Sequence, residues 1–200
     1  RALARAPHRT ITIASLAVGA VMALASLRRH WALESGAADL AIFENTFWNL
    51  VHGNGYVSSM KGWSNLFLDH QSPINFLLAP LYALVPRAET LLVIQAFGLA
   101  AGGAAVFWIA RAAADGALHW GAAATPLLYW AYLPTRNANA FDFHPETLML
   151  PLFLWALQGL EQRSRRAKFR GLVLLLLGLL GKESGGVVLA GLGLSWVLGG

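Results

Sequence analysis

Residues 10–27, TITIASLAVGAVMALASL, run for 18 positions without a charged side chain. A second run covers 89–110, with its one acid at the edge. An α-helix needs about 17–25 apolar residues to cross the hydrocarbon of a bilayer, so runs like these constrain the chain more than any other feature. The remaining composition agrees. Of 200 residues, 56% are hydrophobic and 12% charged, too few polar groups to cover a soluble domain. The chain reads as an all-α polytopic membrane protein.

Spans are expected at about 10–27, 89–110, 117–134, 146–160, 171–181 and 186–199, with Pro151 kinking the fourth. The sequence opens on Arg1 and closes inside an apolar run, so it reads as one module from the N-terminal part of a longer protein. Ala23–Ala25 resembles a signal-peptidase site, but the run is long for a cleaved signal. Between the first two spans lies a loop, 28–88. In it, ADLAIFENTFWNLVHG sets Phe43, Phe47, Leu50 and Val51 at helical spacing, which predicts an amphipathic interfacial helix over about 38–52. The segment 72–86 is apolar but short and broken by Pro73, Pro80 and Pro86.

Whether 72–86 crosses decides the topology. If it lies along the membrane, the N-terminus, Arg111 and the EQRSRRAKFR loop share one face, which then holds nine of the 15 Lys and Arg. The positive-inside rule favours that arrangement, with a cytoplasmic N-terminus in the cell membrane. The net charge of +5 is then topological and implies no nucleic-acid partner. Eight of the ten acids fall on the opposite, outer side. Acids contribute little to orientation, so their gathering points to an outward polar site. Tryptophans 31, 48 and 63 in the same loop suit interfacial anchoring. With no cysteine, thiolate and disulfide chemistry are excluded.

Four segments carry candidate chemistry. In FDFHPE, Pro145 suits a first helical position, and Glu146 would favour the positive end of the helix dipole. An extended segment before it would point Asp142 and His144 to one side; the plain alternative is a capped helix entrance. FLDHQSP repeats the theme, with Asp69 and His70 ahead of Ser72 as N-cap and Pro73. Asp/His pairs of this kind can bind a divalent metal or move protons, although neither spacing is that of a closed metal site. Asp39 reads either as an N-cap or as an acid of the site, on a different helix face from Glu44. In LLGLLGKESGG, the short helix before Lys182 and Glu183 would leave both below the membrane surface, unless it begins near Lys168. There Lys182 could hold a phosphate, or the two could simply pair with each other.

ADLAIFENTFWNLVHGNG, FLDHQSPINFLLAPLYAL, NAFDFHPETLMLP and GLLGKESGG occur in the order of a prokaryotic family of predicted membrane proteins known as a domain of unknown function. Over about 36–195 the chain resembles that family. It departs from the pattern at Ala38 and Ala41, where Tyr and Gly are usual, and at Ser184, where Asp is usual. That family is in turn distantly similar to the C-type glycosyltransferases, multi-span enzymes that use lipid-phosphate-linked sugars. The resemblance implies a helical bundle with juxtamembrane helices at 38–52 and 72–86 in the first outer loop, and a polyprenyl-phosphate-linked sugar as donor. It implies Asp39 as the essential acid and a family lysine at the position of Lys182; the chemistry of their side chains adds Asp142 and His144 as catalytic residues beside Asp39. Asp69, His70, Glu146, Lys182 and Glu183 would line the substrate, with a divalent metal as a candidate cofactor. A transporter or flippase of lipid-linked sugars is the alternative, for which glycine breaks and an intramembrane Lys–Glu would serve alternating access. A non-catalytic scaffold is the third.

Overall fold

The computed structural model describes residues 2–69, 71–114 and 120–199, and these are mostly helical. The helices are α1 (Ala2–Trp31), α2 (Ala37–Val51), α3 (Ile74–Leu84), α4 (Ala88–Ala113) and α5 (Trp120–Ala131). They continue with α6 (Leu133–Ala140), α7 (Met149–Leu160), α8 (Arg165–Leu179) and α9 (Gly185–Gly199). A two-stranded antiparallel ribbon pairs Val57–Ser58 with Ser64–Asn65. Two helical stretches, Pro7–Trp31 and Ala88–Ala113, are long and apolar enough to cross a membrane. α3 has 11 residues, about 16 Å of helix against a hydrocarbon core of about 30 Å.

Helix α4 is the centre of the bundle, and α1, α5 and α7 all pack on it. The α1–α4 pair is antiparallel. His8 lies against Trp108 with ring centroids 4.1 Å apart and planes tilted by 31°, and at the other end Trp31 Nε1 donates to Glu89 Oε1 at 3.4 Å. Indole donors tie α5 and α7 to the same helix: Trp130 to the Ala100 carbonyl and Trp155 to the Ala101 carbonyl, both at 3.0 Å. α7 and α8 pack closely because Gly159 and Gly171 face each other. A methyl at Gly171 would come within 2.7 Å of the Leu160 nitrogen. This winding puts Arg9, Arg111 and the 161–165 turn at one end of the bundle. The α2 region, the 141–146 segment and the 180–184 turn lie at the other.

The largest apolar cluster sits at that second end. Leu40, Phe43 and Phe47 of α2 pack with Tyr82 of α3, Leu91 and Leu92 of α4, and Phe143. Phe143 is fully buried and meets Phe43 and Phe47 edge-on at 5.7 and 5.9 Å. The apolar stripe of α2 therefore faces protein, where the sequence pattern predicts a lipid interface. The loop after it folds back through Tyr56 and Leu66 and covers that stripe. α3 keeps one apolar side open: Phe76, Leu77, Leu81 and Leu84 are exposed, while Tyr82 and Asn75 are buried.

Local geometry differs from expectation at three further places. The segment 117–134 is not one straight helix, because α5 ends at Ala131 and α6 restarts at Leu133 with Pro134 in its first turn. Residues 115–119 lie outside the described ones. Pro151 falls in the first turn of α7, after a 3₁₀ turn over Pro145–Leu148, so its missing N–H breaks no helical bond and no mid-helix kink arises there. α8 begins at Arg165 and is fifteen residues long, so Lys182 is less deeply placed than a start at Gly171 implies.

Candidate functional site

The 138–147 segment is positioned by one side chain that sequence reasoning passed over. Gln95 is 1% exposed, in the middle of the apolar α4. Its Nε2 donates to the carbonyls of Ala138, Phe141 and Asp142 at 3.0, 3.3 and 3.4 Å. Its Oε1 accepts from the His144 N–H and the Thr147 hydroxyl, both at 2.9 Å. A glutamine carries both donors and acceptors, so one residue satisfies the backbone on either side of Asp142. Its signal in the sequence is simply a polar residue within LLVIQAFGL, where burial without partners would be costly.

Clamped in this way, Asp142 turns into the bundle end and is 7% exposed. The Gly36 N–H at the start of α2 donates to its carboxylate. The approach needs glycine, since a Cβ on residue 36 would lie 2.6 Å from Asp142 Oδ2. Burial is the main cause that pushes the Asp142 carboxyl above its ordinary range. The Gly36 bond opposes the shift, the neighbouring Asp39 charge adds to it, and Arg29 and His144 oppose it. Asp142 thus feels Arg29, Asp39 and His144, and the four residues come from three separate parts of the chain. Asp39 stands in the first turn of α2 and does not cap it; the N-cap position is Gly36.

His144 is extended, and Pro145 opens the 3₁₀ turn that follows it. Its Nδ1 lies 3.1 Å from the Asp142 carbonyl oxygen, which can only accept. Nδ1 therefore carries the proton, and Nε2 is the ring nitrogen not committed to the backbone. Phe43 and Phe141 hold the ring, with centroids at 5.5 and 5.0 Å. Beside Gly36 opens a cleft of about 460 Å³, lined by His30, Ser35, Leu40, Glu44 and Ala88.

The remaining predicted residues form a second group. Lys182 Nζ bonds Glu146 Oε1 at 2.8 Å, so the lysine pairs across 36 positions and not with its neighbour Glu183. Burial alone would raise the Glu146 carboxyl, but the Lys182 bond, its own backbone N–H and the nearby His144 and Lys182 charges hold it below its ordinary range. The same bond raises the Lys182 ammonium. Glu183 Oε2 accepts from the Gln71 N–H at 3.3 Å, and the Ile74 N–H donates to the Leu180 carbonyl at 2.9 Å, which seats the start of α3 on the end of α8. Ser72 makes no side-chain cap; the N-cap position of α3 is Pro73. Asp69 pairs with Lys61 at 2.7 Å, and His70 lies outside the described residues. The Tyr82 hydroxyl donates to Glu44 Oε1 at 2.7 Å. Tyr56 is pushed up to about 12 by burial, against a bond from Asn75.

Among the described residues no three His, Asp or Glu side chains are grouped so as to hold a metal ion. Arg29 is the charged member of the site that sequence reasoning missed; in sequence it looks like one more basic residue flanking a span.

A family model described as Predicted membrane protein (DUF2079) matches residues 29–199. No curated protein and no solved structure matches the chain.

Proposed function

The chain belongs to that family of predicted membrane proteins, and from this premise we propose that it transfers a sugar from a polyprenyl-phosphate donor to an acceptor hydroxyl on the outer face of the cell membrane. The reaction class comes from the distant resemblance to C-type glycosyltransferases. The observation that supports it is the convergence of Asp39 with the buried Asp142 at the acidic end of the bundle. Two neighbouring carboxyls in unlike surroundings are what separated acid and base roles require. Asp39 takes the proton from the acceptor hydroxyl as its oxygen attacks the anomeric carbon. The bond from that carbon to the phosphate oxygen breaks, and the lipid phosphate leaves with the electron pair. His144 and Asp142 orient the acceptor, and Arg29 meets charge developing on the phosphate. Lys182 is committed to Glu146, so in this reading it stabilises the rim and does not hold the phosphate.

A transporter would place its key polar groups near mid-bundle, reachable from both sides. Here they gather at one end, which favours the enzyme. The test is transfer by the purified full-length protein in nanodiscs, using radiolabelled polyprenyl-phosphate sugars. Loss of a general base costs about 10²–10⁴-fold in rate, so Asp39→Asn lowers transfer at least 100-fold while melting like wild type. Absence of transfer from every polyprenyl-phosphate sugar tried, or full activity of Asp39→Asn, overturns the proposal.

A further inference from the structure

α1 and α5 both pack on α4 yet scarcely touch each other. A furrow is left between them along most of the length of α1. Its lower half, about 550 Å³, is lined by Ile11 and Ala14 of α1 and by Pro126 and Leu127 of α5. Its upper half, about 450 Å³, is lined by Val18 and Val21 against Leu133 of α6. Trp130 borders both halves and makes the waist. The walls are mostly apolar; Thr10 and Arg111 stand at the lower end, while at the upper mouth two guanidinium groups, Arg29 from α1 and Arg136 from α6, line the furrow with no acid among the described lining residues. Arg136 is exposed, and Arg29 meets Glu34 on the solvent side through a 3.8 Å ion pair and a long 3.4 Å bond to its carbonyl.

We propose that this furrow holds the hydrocarbon chain of a single-chain membrane lipid that ends in a phosphate monoester, with the phosphate between Arg29 and Arg136. Guanidinium groups match phosphate in geometry and charge, and an apolar trough below them matches a chain. The size argues for a single chain over a packed helix. A helix about 10 Å across and 30 Å long displaces on the order of 2,000 Å³, while each half of the furrow falls in the 300–1,000 Å³ range of small-ligand sites. The site goes beyond the sugar-transfer reading, because it predicts lipid binding whether or not a sugar is moved. It also gives the phosphate a place beside Asp142, whose carboxyl already senses Arg29.

The test is equilibrium binding of a sugar-free polyprenyl monophosphate to the full-length protein in phosphatidylcholine nanodiscs. Polyprenol without phosphate and inorganic phosphate without a chain serve as the other arms. The proposal expects saturable binding of the polyprenyl monophosphate alone. Arg29→Gln with Arg136→Gln weakens it at least tenfold, and so does Val21→Trp, which fills the trough from an exposed position and so spares the fold. Equal binding of the polyprenol, equal binding of free phosphate, or unchanged affinity in both variants overturns it. So does a finding that Val21→Trp turns a dimer into a monomer while lipid binding is unchanged, which would assign the furrow to a second copy. Sugar transfer can fail while this binding persists, so the two proposals fail separately.

Discussion

Replacing Gln95 with leucine tests how the site is held. Leucine has nearly the same volume, so packing within α4 changes little and the loss is polar. The His144 N–H loses its acceptor at 2.9 Å, which in a buried place costs about 1–3 kcal/mol. The Ala138 carbonyl loses its 3.0 Å donor, worth about 1 kcal/mol. The contacts to Phe141 and Asp142 are long and add little. Thr147 keeps the His144 carbonyl at 2.7 Å as an alternative partner. The sum is about 2–4 kcal/mol. Thermal unfolding of the purified protein in nanodiscs reads this as a fall of roughly 5–15 °C. Hydrogen exchange at the His144 amide accelerates, while the amides in the middle of α1 stay protected. A destabilisation below about 0.5 kcal/mol, the range of ordinary surface changes, refutes the idea that one glutamine organises the segment.

Two more outcomes follow from the charges. Burial raises the Asp142 carboxyl, so ionising it opposes folding at neutral pH, and that penalty disappears once the group is protonated in both states, below about pH 4. Asp142→Asn should therefore melt above wild type at pH 7.5, with the gap closing toward pH 4; a gap independent of pH contradicts the burial argument. For Lys182 and Glu146, whose side chains are 26% and 29% exposed, a double-mutant cycle with Lys182→Met and Glu146→Gln should give a coupling of about 1–2 kcal/mol after allowance for solvent. Replacing Glu183 in place of Glu146 should give almost none, and a larger coupling to Glu183 would reverse the assignment.

Local features were legible in the sequence to the extent that they depend on neighbours in the chain. Helix α2 runs Ala37–Val51 over the stretch where apolar spacing predicts a helix, and Pro145 opens a turn because its ring and missing N–H suit that position. What could not be read is pairing across distance. Lys182 has Glu183 beside it in sequence, yet its partner is Glu146, brought close only when α7 and α8 pack through Gly159 and Gly171. The apolar stripe of α2 looks the same whether it meets lipid or protein, and only residues far along the chain, Leu66, Tyr82, Leu91 and Phe143 among them, decide between the two. Gln95 and Arg29 were passed over for a similar reason. A lone polar residue in an oily run has no local pattern, and its meaning lies in the segment it faces.

Sugar transfer at this site requires the acidic end of the bundle to face out of the cell. These 200 residues contain no cysteine, so single cysteines can be introduced here one at a time, with any cysteine elsewhere in the full-length protein replaced by serine. Met60, which is exposed in the 3₁₀ turn that joins the two strands beyond α2, marks the acidic end, and the exposed Arg166 marks the basic end. With a membrane-impermeant maleimide, Met60→Cys should label in intact cells and Arg166→Cys only after permeabilisation. Labelling of Arg166→Cys in intact cells, with Met60→Cys protected, would contradict the placement of the site.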